Sequence, residues 1–272
     1  MPKLTGWRRV AATMWPPPND PQIYGQLDLD ATAVLDFVHR ARERGQHVTP
    51  TALVGRAVAR ALEEVPELNT RIVGLNAIPR QSIDIFFITA VGQGSDLSGV
   101  KVKAVDRLHA AEVTRELDVR AAGLRAGGDP EFATTKWVME RLPKRGLSYA
   151  LKLSTFLTER MQLDVPALAL HASPFGSAMV SSVGMLGLPH GFSPLSWMYD
   201  VPLLVLVGAI SERPWVVEHR VVARPVLPIT ATIDHRYVDG AQIARLLAAF
   251  RAYLEDPTRY EGEARFPARD AT

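Results

Sequence analysis

With 272 residues, 47% of them apolar, the chain is long enough to bury one large core or two modest ones without disulfides, metals or an obligatory partner. Charged residues make up 22% and the formal net charge is only +2, which excludes the dense basic face that nucleic-acid binding needs. Cysteine is absent, so disulfides, thiolate metal sites and a cysteine nucleophile are excluded together. Any thiol in the chemistry must then arrive on a substrate.

The N-terminal stretch from Met1 to Trp15 carries positive charge without the apolar run of a signal peptide, so the cytoplasm is the expected location. A membrane span is not expected: 145–161 contains Arg145, Lys152, Glu159 and Arg160, and 201–210 is too short. From Asp30 to Arg44, Val34, Leu35, Phe37 and Val38 oppose basic residues, predicting a surface helix ended by Gly45. The clearest helix start follows. Thr49 can accept from first-turn N–H groups, Pro50 suits the first helical position, and apolar residues repeat from Leu53 to Val65 before Pro66.

Ile72–Leu75 and Ser82–Val91 read as strands that could pair as neighbours, and 100–105 as a further short strand. A polar, alanine-rich helix is expected over 107–125, closing at Gly127-Gly128. Between Asp129 and His171 helical pattern alternates with Pro143 and Pro166, and includes an amphipathic stretch from Leu147 to Met161. Beyond it the pattern turns to strands at Ser177–Val183, Leu203–Ile210, Trp215–Val222 and Val226–Ile233, then a last amphipathic helix at Ala241–Leu254. With no repeat and no flexible linker, these elements predict one domain over 1–272, an α/β sandwich with one sheet layer covered by helices.

In the strand Val226–Ile233, Leu227, Ile229, Ala231 and Ile233 share one face and Thr230 and Thr232 the other. This strand delivers His235 to its end, and Asp234-His-Arg-Tyr-Val-Asp-Gly240 opens the last helix. A histidine at such a junction is held by the framework yet open to a ligand. The residues alone equally allow a loop histidine bonded to a backbone carbonyl, with Asp239 as a helix N-cap contributing about 1 kcal/mol. The other six histidines, at 39, 47, 109, 171, 190 and 219, show no paired metal-ligand spacing and read as surface or structural; no metal is expected.

The stretch His235-x-x-x-Asp239-Gly240 resembles the active-site signature of the dihydrolipoamide acyltransferases of 2-oxoacid dehydrogenase complexes, to which chloramphenicol acetyltransferase has a related signature. Upstream, Ser181-Ser-Val-Gly-Met-Leu-Gly187 is similar to the family's serine element. Leu4-Thr-Gly-Trp-Arg-Arg-Val-Ala-Ala-Thr-Met14 resembles the opening of that catalytic domain, and Val48-Thr-Pro-Thr-Ala through Val65-Pro-Glu-Leu-Asn69 resembles its second helix and following turn. The resemblance implies a chloramphenicol-acetyltransferase-like two-layer sandwich, a mixed β-sheet covered by helices, and coenzyme A as a thiol substrate. His235 is then the general base and Ser181 the donor to the oxyanion, with Ser182 as the alternative of opposite strand face. Asp239 braces the histidine loop by pairing with Arg8, or with adjacent Arg9, and Gly240 supports the site.

By the same resemblance the partners are two further copies in a homotrimer with inter-subunit active sites. The family's lipoyl and subunit-binding domains are not in this sequence, so a lipoyl group is expected on a separate carrier protein. A hydroxyl or amine acceptor, and a non-catalytic trimer or cage component, are the alternative functions. The sequence departs from the family pattern at Ser98-Gly-Val-Lys-Val-Lys103, at Phe175-Gly-Ser-Ala178 and in a helical insertion at about 130–172. These departures bear on acyl and acceptor preference more than on reaction type. The C-terminal stretch, about 258–272, reads as a polar tail with little apolar area to bury, which favours free trimers over a cage.

Overall fold

A computed structural model describes residues 20–91, 96–125, 144–164, 172–196 and 200–262. The chain enters through strand β1 (Gln22–Asp30) and turns at once into helix α1 (Thr32–Glu43). The turn is local chemistry: the Asp30 carboxylate accepts the Thr32 N–H at 2.9 Å and the Thr32 hydroxyl at 2.5 Å. Helix α2 (Pro50–Glu64) begins as its sequence demands, with the Thr49 hydroxyl accepting from the Ala52 N–H at 3.2 Å and Pro50 in the first turn.

Strands β2 (Thr70–Val73) and β3 (Asn76–Pro79) form a hairpin of their own, antiparallel and separate from the main sheet. This corrects the expected pairing of Ile72–Leu75 with the strand after Ser82. Gly74, at φ +64°, turns the chain back within two residues, so β2 finds its partner before the later strand is reached. That later strand, β4 (Ile85–Val91), pairs instead with β5 (Asp96–Val102) and with β6 (Ala178–Ser182). Helix α3 (Ala110–Arg125) follows β5, and α4 (Lys144–Thr155) continues into a π-helical turn at Phe156–Arg160.

Strands β7 (Leu203–Val207), β8 (Ser211–Val217) and β9 (Arg220–Asp234) complete a mixed sheet of order β1-β9-β7-β6-β4-β5, with β8 also on β9. Strands β4, β6 and β7 are mutually parallel neighbours; the other pairs are antiparallel. The expected strand Trp215–Val222 is a hairpin instead, turning at Glu218 and His219, both with positive φ. Neither residue carries the Gly or Asn signal that such turns favour, which hid the turn. Strand β1 was missed because an exposed Tyr24 and Gly25 interrupt its alternation.

Helix α5 (Gly240–Glu255) and the short α6 (Pro257–Glu261) end the described chain. The main core lies between one sheet face and α1, α2, α3 and α5, where Val180, Leu203, Val205, Ile229 and Ile233 meet Leu53, Val58, Leu62, Leu246 and Phe250. The opposite face carries a much smaller cluster of Met179, Val201, Leu204 and Leu206. No described helix is long and apolar enough to cross a membrane.

The expected polar tail needs correcting at its start. Residues 257–261 are helical, and the Glu261 side chain has no solvent exposure. Burial of that charge is offset by the Arg56 Nε at 3.0 Å, the Ala110 N–H at 2.7 Å and the Tyr253 hydroxyl, a partner set that composition could not reveal. Residues 263–272, and Phe266 among them, lie outside the described residues.

Candidate active site

Alternation along β9 places Thr230, Thr232 and Asp234 on the face away from the helices, as their sequence spacing predicted. The Thr230 and Thr232 hydroxyls donate to the carbonyls of Gly191 and Ser193, the latter at 2.7 Å, so the 191–196 segment is strapped along this face. At the strand's end the backbone is held from both sides: Asp234 N–H donates to Pro202 O at 2.9 Å and His235 N–H to Pro21 O at 2.8 Å. His235 itself is exposed. A fixed backbone under an open imidazole is what a base acting on a visiting proton requires.

Asp234 is 5% exposed and accepts from the forked Arg236 side chain at 3.0 Å on both oxygens, and from the Arg236 N–H at 2.9 Å. The fork is a charge-assisted clamp that ties the residues on either side of His235 together. Beside it Tyr237 is half-buried, and its hydroxyl accepts from Ile72 N–H of β2 at 3.3 Å. Burial raises the Tyr237 hydroxyl above its usual range, with the Asp200 charge adding to the effect. A cavity of about 270 Å³ opens here, bounded by Pro21, Gln22, Asp200, Asp234, Arg236 and Tyr237 among others.

Asp239 is the N-cap of α5. Its carboxylate accepts from Ala241 N–H at 3.1 Å, while the Gln242 side chain accepts from the Asp239 N–H at 3.2 Å, forming a capping box. Arg8 and Arg9, its expected partners, lie outside the described residues. Gly240 opens the helix in ordinary backbone geometry, and a Cβ there would meet nothing within 4 Å among the described residues. Crowding within these residues therefore gives no reason for a glycine at this position.

Ser181 sits on β6 with Met179, facing away from the helices, while Ser182 shares the helix-facing side with Val180. Two glycines shape the turn that follows. A Cβ on Gly184 would come within 2.5 Å of Gly208 O, and Gly187 closes the turn at φ +77°. Ser181 aligns with Leu206 on β7, and Leu206 with Thr230 on β9, so His235 lies five residues beyond the serine's level. At about 3.3 Å per residue and about 4.8 Å per strand, that is roughly 20 Å within one chain. The two side chains cannot reach one reacting carbon there.

A buried ionic cluster that no sequence periodicity announces lies behind the histidine loop. Arg80, 6% exposed at its side chain, donates to Asp200 O at 2.7 Å and to Ser173 Oγ at 3.1 Å, and its guanidinium lies 3.9 Å from Glu159. Burial pushes the Glu159 carboxyl up to about 7 against the opposing pull of Arg80, and raises Asp200 for the same reason. Among the described residues Arg80 Nε, Glu159 Oε1 and Asp200 Oδ2 have no hydrogen-bond partner, so the cluster is compact but incompletely satisfied. These groups come from three distant stretches of sequence, so only the fold could assemble them.

Comparison with known proteins fits this framework. The family of 2-oxoacid dehydrogenases acyltransferase (catalytic domain) matches residues 3–128 and 169–261, leaving 129–168 unmatched. The chain therefore belongs to that family. It is 24% identical over 261 residues to the dihydrolipoyllysine-residue acetyltransferase component of the acetoin cleaving system of Bacillus subtilis, covering 93% of this chain and 55% of that protein. It is 23% identical over 241 residues to the succinyltransferase component of the 2-oxoglutarate dehydrogenase complex of Haemophilus influenzae, covering 87% of this chain and 48% of that one. The chain thus spans about half the length of these two relatives. A probable dihydrolipoamide acetyltransferase from Listeria monocytogenes has the same fold, with a TM-score of 0.66, 20% identity and 98% of each chain covered.

Proposed function

We propose that this domain is an acyltransferase that moves an acyl group between coenzyme A and a dihydrolipoyl-type thiol. The observation that carries the reading is His235, exposed at the end of a buried strand with its backbone fixed on both sides, within a chain of the acyltransferase family. A thiol is mostly protonated at neutral pH and only its thiolate attacks well. An imidazole nitrogen of His235 takes the thiol proton as the sulfur attacks the thioester carbonyl carbon. The carbonyl becomes a tetrahedral oxyanion, which accepts a hydrogen bond from Ser181. On collapse the bond to the departing sulfur breaks, and that sulfur recovers the proton from the imidazolium.

Because about 20 Å separates Ser181 from His235 within one chain, the reading requires two chains, His235 from one and Ser181 from its neighbour. A closed three-fold ring meets this need, with each chain giving its histidine to one neighbour and its serine to the other. The test mixes the protein with acetyl-coenzyme A and either free dihydrolipoamide or a lipoylated domain. Acetyl transfer is expected for the wild type, and His235→Ala is expected to lower it by roughly two to four orders of magnitude. Equal turnover in the variant would remove the mechanism, and transfer only to a hydroxyl or amine acceptor would reassign the substrate.

A further inference from the structure

Residues 129–168 have no counterpart in the family pattern, yet their C-terminal end is bolted into the catalytic framework. In the π-helical turn Phe156–Arg160, Glu159 is buried and its backbone carbonyl accepts from the Arg71 guanidinium. Next to it the exposed Arg160 donates through Nη1 to Ile72 O at 3.0 Å. The N–H of that same Ile72 donates to the Tyr237 hydroxyl at 3.3 Å. Both polar groups of one backbone residue are thus used outside its hairpin: one grips the unmatched turn, and the other grips the residue two places after His235. A second route runs parallel. Ser173 Oγ donates to Glu159 Oε2 at 3.3 Å and accepts from Arg80 Nη1, while Arg80 Nη2 holds the Asp200 carbonyl beside Asp234 and Arg236.

We propose that this turn is a positioning element for the His235 loop, with Arg160 acting through Ile72 on Tyr237. Neither arginine nor tyrosine touches substrate in this scheme; both set where the imidazole stands. The Ile72 backbone has no other side-chain partner among the described hydrogen bonds, so loss of either grip loosens its tie to the histidine loop, while the neighbouring Arg71 still holds β2 to the turn through the Glu159 carbonyl. Displacement of a base by a fraction of an ångström lowers the chemical step more than binding, since binding does not pass through the imidazole. The assignment rests on His235 being the base, and its test therefore carries a readout that does not depend on turnover.

Arg160→Ala, Tyr237→Phe and the double variant are compared with wild type by acetyl transfer from acetyl-coenzyme A to dihydrolipoamide. In parallel, the His235 ring resonance is followed by NMR of histidine-labelled protein, assigned with His235→Ala. Each single variant is expected to lower kcat about fivefold to tenfold with KM unchanged and to move the His235 resonance. The double variant is expected to be no worse than the worse single, because both act through one residue. Arg160→Lys, which keeps a donor for Ile72 O, is expected to restore most of kcat. Wild-type kcat and an unmoved His235 resonance in Arg160→Ala would overturn the proposal, as would strictly additive losses. If the wild type transfers no acyl group at all, the reaction assignment fails, and the resonance alone decides the positioning role.

Discussion

Ser181 and Ser182 are neighbours of the same chemical type, and only the pleat of β6 separates their roles. Because Ser181 lies on the sheet face away from the helices, with Met179, Ser181→Ala is expected to cost on the order of 10²-fold in turnover with little change in coenzyme A affinity. Ser182→Ala, on the helix-facing side, is expected to leave turnover near wild type, and steady-state kinetics of both variants decides between them. Asp239 has a role that does not depend on chemistry, since its carboxylate satisfies an orphan N–H of α5. Asp239→Ala is expected to lower stability by about 1 kcal/mol, and Asp239→Asn, which keeps an acceptor, by much less. Urea unfolding measures both; a large loss for the Asn variant would instead reveal the charge pairing with an N-terminal arginine that the sequence resemblance implies.

Among the elements, those whose partners are close in sequence were legible before the structure. The Thr49-Pro50 start of α2, the alternation of β9 and the apolar face of α5 all declare themselves through local spacing. The ones that misled depend on competition: β2 chose a hairpin with β3 over the longer-range β4, and Glu218-His219 adopted a turn that their types do not favour. The histidine signature was readable because it is contiguous, whereas the Arg80, Glu159 and Asp200 cluster was not, because burial and not spacing gives it its properties. That cluster has a measurable signature. With its folded value raised from an ordinary 4.5 to about 7, Glu159 keeps a proton in the native state that the unfolded chain has released. Its contribution therefore falls as pH rises from about 4.5 to about 7 and is level above. Glu159→Gln removes this dependence, so the variant's stability relative to wild type should rise between pH 5 and pH 8; denaturant titrations at several pH values across that range follow it. A relative stability that stays constant would place the Glu159 carboxyl in the ordinary range.

For the whole molecule, the distance between Ser181 and His235 turns chemistry into a question of assembly. Light scattering in moderate salt is expected to give about three times the chain mass of 29.9 kDa. A monomer that is stable and active would refute the shared site, and a mass many times that of the trimer would favour a cage. Complementation tests the sharing directly. When His235→Ala and Ser181→Ala chains are unfolded, mixed in equal amounts and refolded together, about a quarter of interfaces pair an intact histidine with an intact serine. Activity should return toward that fraction of wild type, although each variant alone is nearly inactive; no recovery in correctly sized particles would locate both groups in one chain.

The two ends of the sheet carry a further consequence. In the proposed shared site, a lone chain would hold two halves of different sites and no whole one, an open pair would complete one site, and only closure of the ring would give each chain a finished site. Catalytic output per chain then becomes a function of concentration, negligible at high dilution and rising as rings close, with no change in any single fold. A thioester is spared adventitious attack on newly made, unassembled chains for the same reason: in the shared site the base and the oxyanion donor first meet when two chains join.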